Sequence, residues 1–486
     1  MKLRSYQTKL NTPAKNFLFN SDEQKAQVYA PTGAGKTVCF EALIAEAVSK
    51  GFTKIAIVHP RIALSTDQLK RYKSGKRTAK VMTTSFHSGA HYNGKIKTDA
   101  DGKVVAEPRE FNTTTVSKLT DTQDAAIADG YDAHITFSSY ASFHKIATVN
   151  FDLIIFDEAH YIAAQENFRV WNETLTAGKV LYYTATPITT ELEGGMFDES
   201  KFGSVIASVN PKELIDGGFI VAPLIHEAHA KTTGKGDVDK MGLLAEAYVK
   251  QYEEGTKYGM PYWQMLAVMQ GVQDDLRLLD APGAAAELNA KIKAINPNIG
   301  WVNVYTVDGA GQTKNGIPAA TREGLLVDVK ENGGNAIVAH YDTLSEGIDI
   351  STLGGALILR KMSKAKVLQT IGRCARPYVG DLDSKFMPVL ENRMKPRCIL
   401  TLAIVDGEWM GADIEDVVKA FIAAGYDKDG LFTTISDEDK ATGTDETEAE
   451  IGLDDETGFG ASILAYRTQE KLRDLKAVWA ERMLAA

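Results

Sequence analysis

The chain contains 486 residues, more than a single hydrophobic core usually serves, and at ~100–200 residues per domain it predicts two or three domains. Hydrophobic residues make up 44% and charged residues 24%, which is typical of soluble globular proteins and excludes a fibrous or largely disordered chain. The net charge of −10 is unevenly distributed, because positions 437–456 hold ten Asp or Glu and one Lys. The rest of the chain is near neutral, and a near-neutral protein can still line one cleft with basic residues that bind nucleic acid.

No apolar run approaches the ~18–20 residues of a membrane span, and the first residues lack the apolar segment of a signal peptide. We therefore expect a cytoplasmic protein of bacterial, viral or mobile-element origin, with no membrane partner. Cys39, Cys374 and Cys398 are too far apart in sequence to form a zinc or disulfide pattern.

The first thirty residues predict a short helix that carries Tyr6 and Gln7 and breaks at Pro13, followed by a strand at 27–29. That strand leads into the loop 30–37, which ends in Gly-Lys-Thr and precedes a helical stretch. A strand, a glycine-containing loop and a helix together form a phosphate cradle, because backbone N–H groups and the helix N-terminus face the anion. The predicted phosphate-binding residues are Thr32, Gly33, Ala34, Gly35, Lys36 and Thr37, with the Thr37 hydroxyl as a ligand for Mg²⁺.

Further strands are predicted at 54–58, 134–137, 153–156 and 180–183, alternating with helices, and this pattern indicates a parallel sheet with helices on both faces. The polar stretch 83–125 is interpreted as an insertion or long loop. The apolar run 153–156 ends in Asp157 and Glu158, at the kind of strand end where α/β sheets place ligands. Two adjacent carboxylates there suggest a metal ion and a water to be activated, although an Asp-Glu pair alone also fits a surface turn.

After a linker at 210–223, strand candidates recur near 264–269, 301–305, 335–340, 356–359 and 398–402, which predicts a second α/β domain. We therefore expect domains at 1–209 and 224–405. Residues 406–486 form a tail with a helix near 414–424, the acidic segment and a final helical stretch at 463–484.

At this point the motifs resemble those of superfamily 2 helicases and translocases of the DEAD/DEAH-box type, over nearly all of the chain up to about residue 405. The stretch 30–37 looks like motif I, 59–64 is similar to motif Ia, 157–160 to motif II in its DEAH spelling and 184–187 to motif III. In the second half, 343–350 looks like motif V and 369–377 is similar to motif VI. The opening Leu-Arg-Ser-Tyr-Gln resembles the type III restriction and branch-migration group, whereas motif Ia departs from the common Pro-Thr-Arg by reading His-Pro-Arg.

The resemblance implies an α/β fold of two tandem RecA-like domains with ATP and Mg²⁺ bound between them. It gives Gln7 a role in reading adenine, although a capped surface helix explains Gln7 nearly as well. Lys36 would hold phosphate, Asp157 would complete the Mg²⁺ shell, and Glu158 would orient and deprotonate the attacking water. The remaining implied roles fall to Gln369 as a γ-phosphate sensor, to Arg373 and Arg376 as arginine fingers on one helix face, and to Gly347 and Asp349 as couplers of nucleotide to nucleic acid.

Thr184, Thr186 and His160 are expected to link the DEAH strand to the nucleic-acid track. The track itself is expected to contact Arg61, Ser138, Ser139 and Thr343, a set that binds phosphates without reading bases. The three hydroxyl residues could instead cap helices. Trp263 and Trp301 are expected in the core.

The leading functional hypothesis is an ATP-dependent DNA helicase or translocase acting on single-stranded, duplex or forked DNA, of the kind used in DNA repair and recombination. The alternatives are an RNA helicase and the motor subunit of a nuclease or restriction complex, whose partner would dock on the tail. A degenerate ATP-binding scaffold is disfavoured because Lys36, Asp157, Glu158 and both arginines are present.

Overall fold

The computed structural model describes residues 3–410 and positions 417, 421 and 426, except for 61, 63, 66–67, 70–71, 73–78, 87–91, 99–103, 109–115, 165, 174, 188–194, 231, 233–237, 258–259, 273–275, 309–310, 342–349, 351, 380–392, 396 and 406–407. The described chain separates into two compact units, the first ending at Val209 and the second beginning at Asn210. Within these residues, no helix has both the length and the apolarity needed to cross a membrane. The predicted acidic segment and final helix lie outside the described residues. In the predicted helix at 414–424, Val417 and Phe421 are helical and buried.

The first unit is built on a sheet whose seven strands, among the described residues, all run parallel, in the order β3-β6-β2-β7-β8-β1-β9. Its interior strands are buried along nearly their whole length, as expected for a sheet covered on both faces. Strands β4 and β5 form a separate antiparallel pair. The strands are Lys25–Tyr29 (β1), Lys54–His59 (β2), Val81–Phe86 (β3), Tyr92–Thr98 (β4), Val104–Pro108 (β5), Ala133–Ser139 (β6), Leu153–Asp157 (β7), Lys179–Thr184 (β8) and Ser204–Ser208 (β9).

The helices of the first unit are Ser5–Asn20 (α1), Lys36–Ser49 (α2), Val116–Ala128 (α3), Tyr140–Phe143 (α4), His160–Ala164 (α5), Glu166–Glu173 (α6) and Glu199–Phe202 (α7), with a 3₁₀ turn at Gly195–Phe197. The predicted break at Pro13 is wrong, because α1 continues through it to Asn20. Leu10, Ala14 and Phe17 on the same helix are buried, and this packing outweighs the ~3 kcal/mol that proline usually costs inside a helix.

Of the two interpretations of 83–125, the long loop is wrong, whereas an insertion fits β4 and β5, which form a separate antiparallel pair. Strand β3 is the edge strand of the main sheet and pairs in parallel with β6, while helix α3 begins at Val116. The sequence of β3 is polar because an edge strand is only half-buried, so its composition resembles that of a loop.

The second unit contains a larger sheet in the order β10-β19-β16-β11-β15-β12-β13-β14, with β20 paired to β19. Its first six strands run parallel, whereas β13, β14 and β20 join in antiparallel fashion. The strands are Pro223–Ala230 (β10), Gln264–Val268 (β11), Asn303–Val307 (β12), Gln312–Lys314 (β13), Ile317–Pro318 (β14), Ala336–His340 (β15), Gly355–Ile358 (β16), Tyr378–Val379 (β17), Arg393–Met394 (β18), Cys398–Val405 (β19) and Glu408–Met410 (β20), of which β17 and β18 pair separately.

The helices of this unit are Pro211–Asp216 (α8), Lys240–Lys257 (α9), Arg277–Asp280 (α10), Ala284–Ile295 (α11), Arg322–Asn332 (α12) and Lys364–Cys374 (α13). Helix α8 lies within the stretch predicted to be a linker and is capped by the Asn210 side chain. The two parallel sheets with flanking helices confirm the predicted α/β class with tandem RecA-like domains.

The two tryptophans discussed above have different environments. Trp263 is buried, and its indole N–H donates to Gln251 Oε1 at 3.0 Å, so its predicted core position is confirmed. Trp301 is 51% exposed, so its predicted core position is wrong. It lies two residues before β12 begins, where the chain reaches the surface.

A buried lysine joins three parts of the second unit. Lys395 Nζ donates to Leu353 O at 2.6 Å and to Cys374 O at 3.2 Å, the latter at the last residue of α13. Burial lowers the pKa of Lys395 to about 8. The ammonium group therefore satisfies carbonyl groups that the end of a helix leaves without partners.

We predict that Lys395→Met changes the pH dependence of stability. The folded-state pKa lies below that of the unfolded chain, so the unfolded state binds more protons between about pH 8 and 10.5 and this group adds stability as pH rises. Relative to the variant, wild type should gain about 2 kcal/mol of unfolding free energy between pH 7.5 and 9.5. Urea unfolding of the full chain at both values measures this, with exposed Lys212→Met as the control. A difference between wild type and Lys395→Met that does not change with pH would contradict the prediction.

Candidate nucleotide-binding and hydrolysis site

The candidate site lies where the parallel strands of the first unit end. Strand β1 leads into the loop 30–35, β2 ends at His59, β7 ends at Asp157 and β8 ends at Thr184. Because β1, β2, β7 and β8 are parallel and joined through adjacent pairings, their carboxyl ends share one edge of the sheet. Chemistry-bearing residues that are far apart in sequence are brought together there.

The phosphate-loop geometry depends on glycine. Gly33 and Gly35 adopt φ values of 88° and 73°, in the left-handed region that a side chain disfavours. A methyl group on Gly35 would lie 2.8 Å from Gln7 Nε2. Helix α2 begins at the next residue. The N-terminus of the helix, where backbone N–H groups favour an anion, therefore lies at the end of the loop.

Lys36 and Glu158 form the central ion pair of the site. Lys36 Nζ lies 3.1 Å from Glu158 Oε1 and 3.4 Å from Ala30 O, and the lysine side chain is buried. The pair joins the phosphate loop to the end of β7. The surface-turn interpretation of the Asp-Glu pair is therefore wrong in this structure.

Glu158 is held in a strained backbone conformation. Its φ is 54°, a value that costs a residue other than glycine ~1–2 kcal/mol. Tyr140 Oη donates to Asp157 O at 2.9 Å, and Ala159 N donates to Tyr183 O at 2.9 Å, so the backbone is fixed on both sides of Glu158. Strain of this kind persists where surrounding contacts impose it, and it is often associated with function.

Asp157 has a partner that sequence reasoning missed. His59 Nδ1 lies 3.2 Å from Asp157 Oδ2, and both side chains are buried. Burial alone would raise the pKa of Asp157, but the hydrogen bond and charge of His59, with the charge of Lys36, lower it below its usual value. The contact depends on the pairing of β2 with β7, in which Val58 lies opposite Phe156 and the next residues, His59 and Asp157, come side by side.

The DEAH histidine connects motif II to motif III. His160 Nδ1 lies 3.1 Å from Thr184 Oγ1, 3.4 Å from Thr186 Oγ1 and 3.5 Å from Glu158 Oε2. Thr186 N also donates to Thr184 Oγ1 at 3.1 Å. Burial lowers the pKa of His160, which favours the neutral ring. The structure thus brings together the three residues that were predicted to act as couplers.

Helix α1 is bound to the phosphate loop by side-chain amide and hydroxyl groups. Tyr6 Oη donates to Ala34 O at 3.0 Å, Gln7 Nε2 donates to the same oxygen at 3.4 Å, and Asn11 Nδ2 donates to Cys39 O at 2.9 Å. Gln7 Oε1 accepts from Arg4 N at 3.0 Å. The capping part of the alternative for Gln7 is confirmed by this bond to the N-cap residue of α1, whereas the surface part is wrong because Gln7 is buried. Its role in reading adenine remains a prediction.

The two serines predicted as phosphate contacts are both buried. Ser138 Oγ donates to Phe86 O at 3.0 Å, so its predicted nucleic-acid contact is wrong because the hydroxyl bonds main chain inside the protein. Ser139 Oγ donates to Ser142 Oγ at 3.1 Å. Ser139 occupies the N-cap position of α4 without a side-chain capping bond. Arg61 and Thr343 lie outside the described residues, as do Gly347 and Asp349.

The motif VI residues lie at the end of α13 in the second unit. Gln369 and Arg373 lie on the helix, which ends at Cys374, whereas Arg376 lies beyond it. The prediction of one shared helix face is therefore wrong for Arg376, whose direction is set by the chain after the helix. Both arginines are half-buried, and Gln369 Oε1 is buried with no hydrogen-bond partner among the described residues.

The residues of the first unit fit a nucleotide with Mg²⁺. Thr32 Oγ1 and Glu158 Oε2 are buried oxygens without a hydrogen-bond partner in the described part of the chain. The half-buried Thr37 lies on the first turn of α2 beside Lys36, and Asp157 supplies a second oxygen donor of the type that Mg²⁺ prefers.

We predict that Gly35→Ala weakens nucleotide binding. Alanine would adopt a left-handed conformation at ~1–2 kcal/mol and would crowd Gln7, so affinity for a fluorescent ADP analogue should fall about tenfold or more. Gly51→Ala is the matched control, because Gly51 has a φ of 92° at the other end of α2, with open space around it. The control should bind the analogue as wild type does. Equal affinity in wild type and Gly35→Ala would contradict the prediction.

Comparisons with known proteins fit this geometry. Residues 1–189 match the family model described as "Type III restriction enzyme, res subunit". A comparison with curated protein sequences gives no match. The fold is similar to that of the ATP-dependent Type ISP restriction-modification enzyme LlaBIII bound to DNA, with a TM-score of 0.62 and 20% identity over 87% of this chain and 30% of that one. A nuclease-deletion mutant of the Type ISP enzyme LlaGI in complex with a DNA substrate mimic gives a TM-score of 0.56 and 19% identity over 87% of this chain and 29% of that one.

The chain therefore spans less than a third of the length of these two Type ISP structures, and at this identity the likeness shows the fold. The family match covers the residues that form the phosphate loop, the DEAH strand and motif III. The match lies within the first unit, and together with the tandem parallel sheets it supports the predicted fold of two RecA-like domains.

Proposed function

We propose that the protein is a nucleic-acid-stimulated ATPase that uses ATP hydrolysis to move along or remodel DNA. The observation that carries this proposal is the buried Lys36–Glu158 pair beside Asp157, at the edge where the phosphate loop and the DEAH strand meet. A cation for phosphate, a metal-type carboxylate and a second carboxylate for water form the set that phosphoryl transfer to water requires.

Glu158 is the proposed base. Its Oε1 pairs with Lys36, while its Oε2 is buried and accepts no hydrogen bond from the described residues. A carboxylate with one oxygen anchored and the other available can orient a water molecule and accept its proton. The strained backbone at Glu158 and the Tyr140 contact hold the carboxylate in place before substrate arrives.

Thr37 and Asp157 are the proposed Mg²⁺ ligands. When bound, the ion neutralises charge on the transferring phosphate. The protein's own contribution is to orient the Asp157 carboxylate through His59 and to place Thr37 on the first turn of α2.

Gln369, Arg373 and Arg376 are proposed to act on the γ-phosphate, with the arginines as fingers worth about 10³-fold or more in rate. Lys395 supports them by anchoring the carbonyl of Cys374, which lies between the two arginines in sequence. Gly347 and Asp349 are proposed to connect nucleotide state to nucleic acid, and Gln7 to read adenine.

The His160–Thr184–Thr186 cluster is the proposed route from hydrolysis to movement. Its hydrogen bonds link His160 to the segment after β8, and His160 Nδ1 lies 3.5 Å from Glu158 Oε2, so a change at the γ-phosphate would alter that segment. Arg61, Ser139 and Thr343 remain proposed phosphate contacts for the track.

DNA is the proposed track because two of the fold neighbours are a DNA-bound Type ISP enzyme and a Type ISP mutant in complex with a DNA substrate mimic. A second candidate is the motor segment of a restriction complex. This candidate is supported by the match of residues 1–189 to a restriction-enzyme subunit family.

The test is steady-state ATPase activity of wild type and Glu158→Gln, without nucleic acid and with single-stranded DNA, duplex DNA, forked DNA and RNA at fixed salt. We expect DNA to stimulate wild type and the variant to lose about 10²-fold or more of the rate, because a general base contributes at least that factor. Glu173→Gln is the control, since it changes an exposed carboxylate of the same unit.

Stimulation by RNA alone would assign the track to RNA. Stimulation by forked DNA above duplex DNA would favour remodelling of junctions, as in repair or recombination. Absence of stimulation by every nucleic acid would contradict the proposed function.

A further inference from the structure

A chain of four buried side chains runs behind the candidate site. His59 Nδ1 lies 3.2 Å from Asp157 Oδ2, His59 Nε2 lies 2.5 Å from Gln68 Oε1, and Gln68 Nε2 donates to Glu41 Oε1 at 3.2 Å. All four side chains are buried. Each side chain is polar, and burying it would cost free energy if it did not form a hydrogen bond with its neighbour in the chain.

The chain ends on two elements that carry the proposed Mg²⁺ ligands. Asp157 is itself one ligand, at the end of β7. Glu41 lies on α2 four residues after Thr37, the other ligand, and therefore on the same side of that helix. The hydrogen bonds thus connect the metal-binding turn of α2 to the metal-binding end of β7.

The direction of the hydrogen bonds is fixed at both ends by a carboxylate. The Glu41 carboxylate accepts, which turns the Gln68 amide so that its N–H₂ faces Glu41 and its oxygen faces His59. The Asp157 carboxylate accepts from the opposite ring nitrogen. Oxygen acceptors face both ring nitrogens, so His59 makes both hydrogen bonds when each nitrogen carries a proton.

We infer that His59, oriented by Gln68 and Glu41, is a positioning residue that fixes the Asp157 carboxylate for Mg²⁺-nucleotide binding. His59 begins the His-Pro-Arg stretch in which motif Ia of the chain departs from the common Pro-Thr-Arg. The inference rests on the proposed function and specifies which residues orient its metal-binding carboxylate. Partners of metal ligands typically change metal affinity by about 10–100-fold when removed.

The experiment measures affinity for a fluorescent ADP analogue in Mg²⁺ and in EDTA, without nucleic acid, for wild type, His59→Leu and Gln68→Leu. We expect His59→Leu to lose about tenfold or more of the affinity gain that Mg²⁺ provides, while affinity in EDTA stays within about twofold. Gln68→Leu removes the hydrogen bond to His59 Nε2, so it should lose part of the affinity gain that Mg²⁺ provides.

Two conservative variants separate positioning from packing. Asparagine places an N–H₂ group near the position of Nδ1, whereas glutamine places its amide near that of Nε2. His59→Asn should therefore retain most of the Mg²⁺ gain and His59→Gln should lose it. This pair decides the question even where His59→Leu fails to fold.

His134→Leu is the matched control. His134 is a fully buried histidine on the neighbouring strand β6 that contacts Thr84 and Thr136 instead of a carboxylate. It should reduce thermal stability and leave the Mg²⁺ gain unchanged.

An unchanged Mg²⁺ gain in His59→Leu, an equal loss in His134→Leu, or equal behaviour of the Asn and Gln variants would overturn the inference. Failure of wild type to bind the nucleotide at all would instead overturn the proposed function.

Discussion

The site depends on one constraint: two adjacent carboxylates, Asp157 and Glu158, are buried at the end of a central parallel strand. Carboxylates removed from water need partners, and each neighbouring element supplies one. The phosphate loop provides Lys36 to Glu158, and β2 provides His59 to Asp157. The Tyr140 hydroxyl fixes the backbone between the two acidic residues. The ion pair, the strained turn and the buried network behind Asp157 all follow from satisfying these two charges.

Much of the fold was predictable because parallel strands buried on both faces leave a clear signal. The runs ending at Tyr29, Asp157 and Thr184 were recognised from their apolar character and from the polar residues that follow them. The phosphate loop was predictable because its backbone needs positive φ values, which favour glycine, and the glycines mark the loop in the sequence. Strand β3 was missed because an edge strand has a half-buried, polar sequence, and the continuity of α1 through Pro13 was missed because burial of its apolar face outweighs local propensity.

The site was predictable only where a residue belongs to a recognisable short motif. His59, Gln68 and Glu41 lie on three different elements, and their contacts appear only after β2 is placed beside β7 and against α2. Ser138 shows the opposite error, since a hydroxyl that suits phosphate binding in sequence instead donates to the main chain within the sheet. Burial decides between such roles, and burial is a property of the folded chain.

The central claim is that the nucleotide bound at Lys36 and Glu158, ATP or ADP, controls the affinity of the protein for nucleic acid. The most direct measurement is the affinity of Glu158→Gln for fluorescent duplex DNA at fixed salt, with Mg²⁺-ATP and with Mg²⁺-ADP. The account predicts affinities that differ by about fivefold or more, as for coupling energies of 1–3 kcal/mol, and loss of this difference when Lys36→Ala is added. The same affinity with both nucleotides would contradict it.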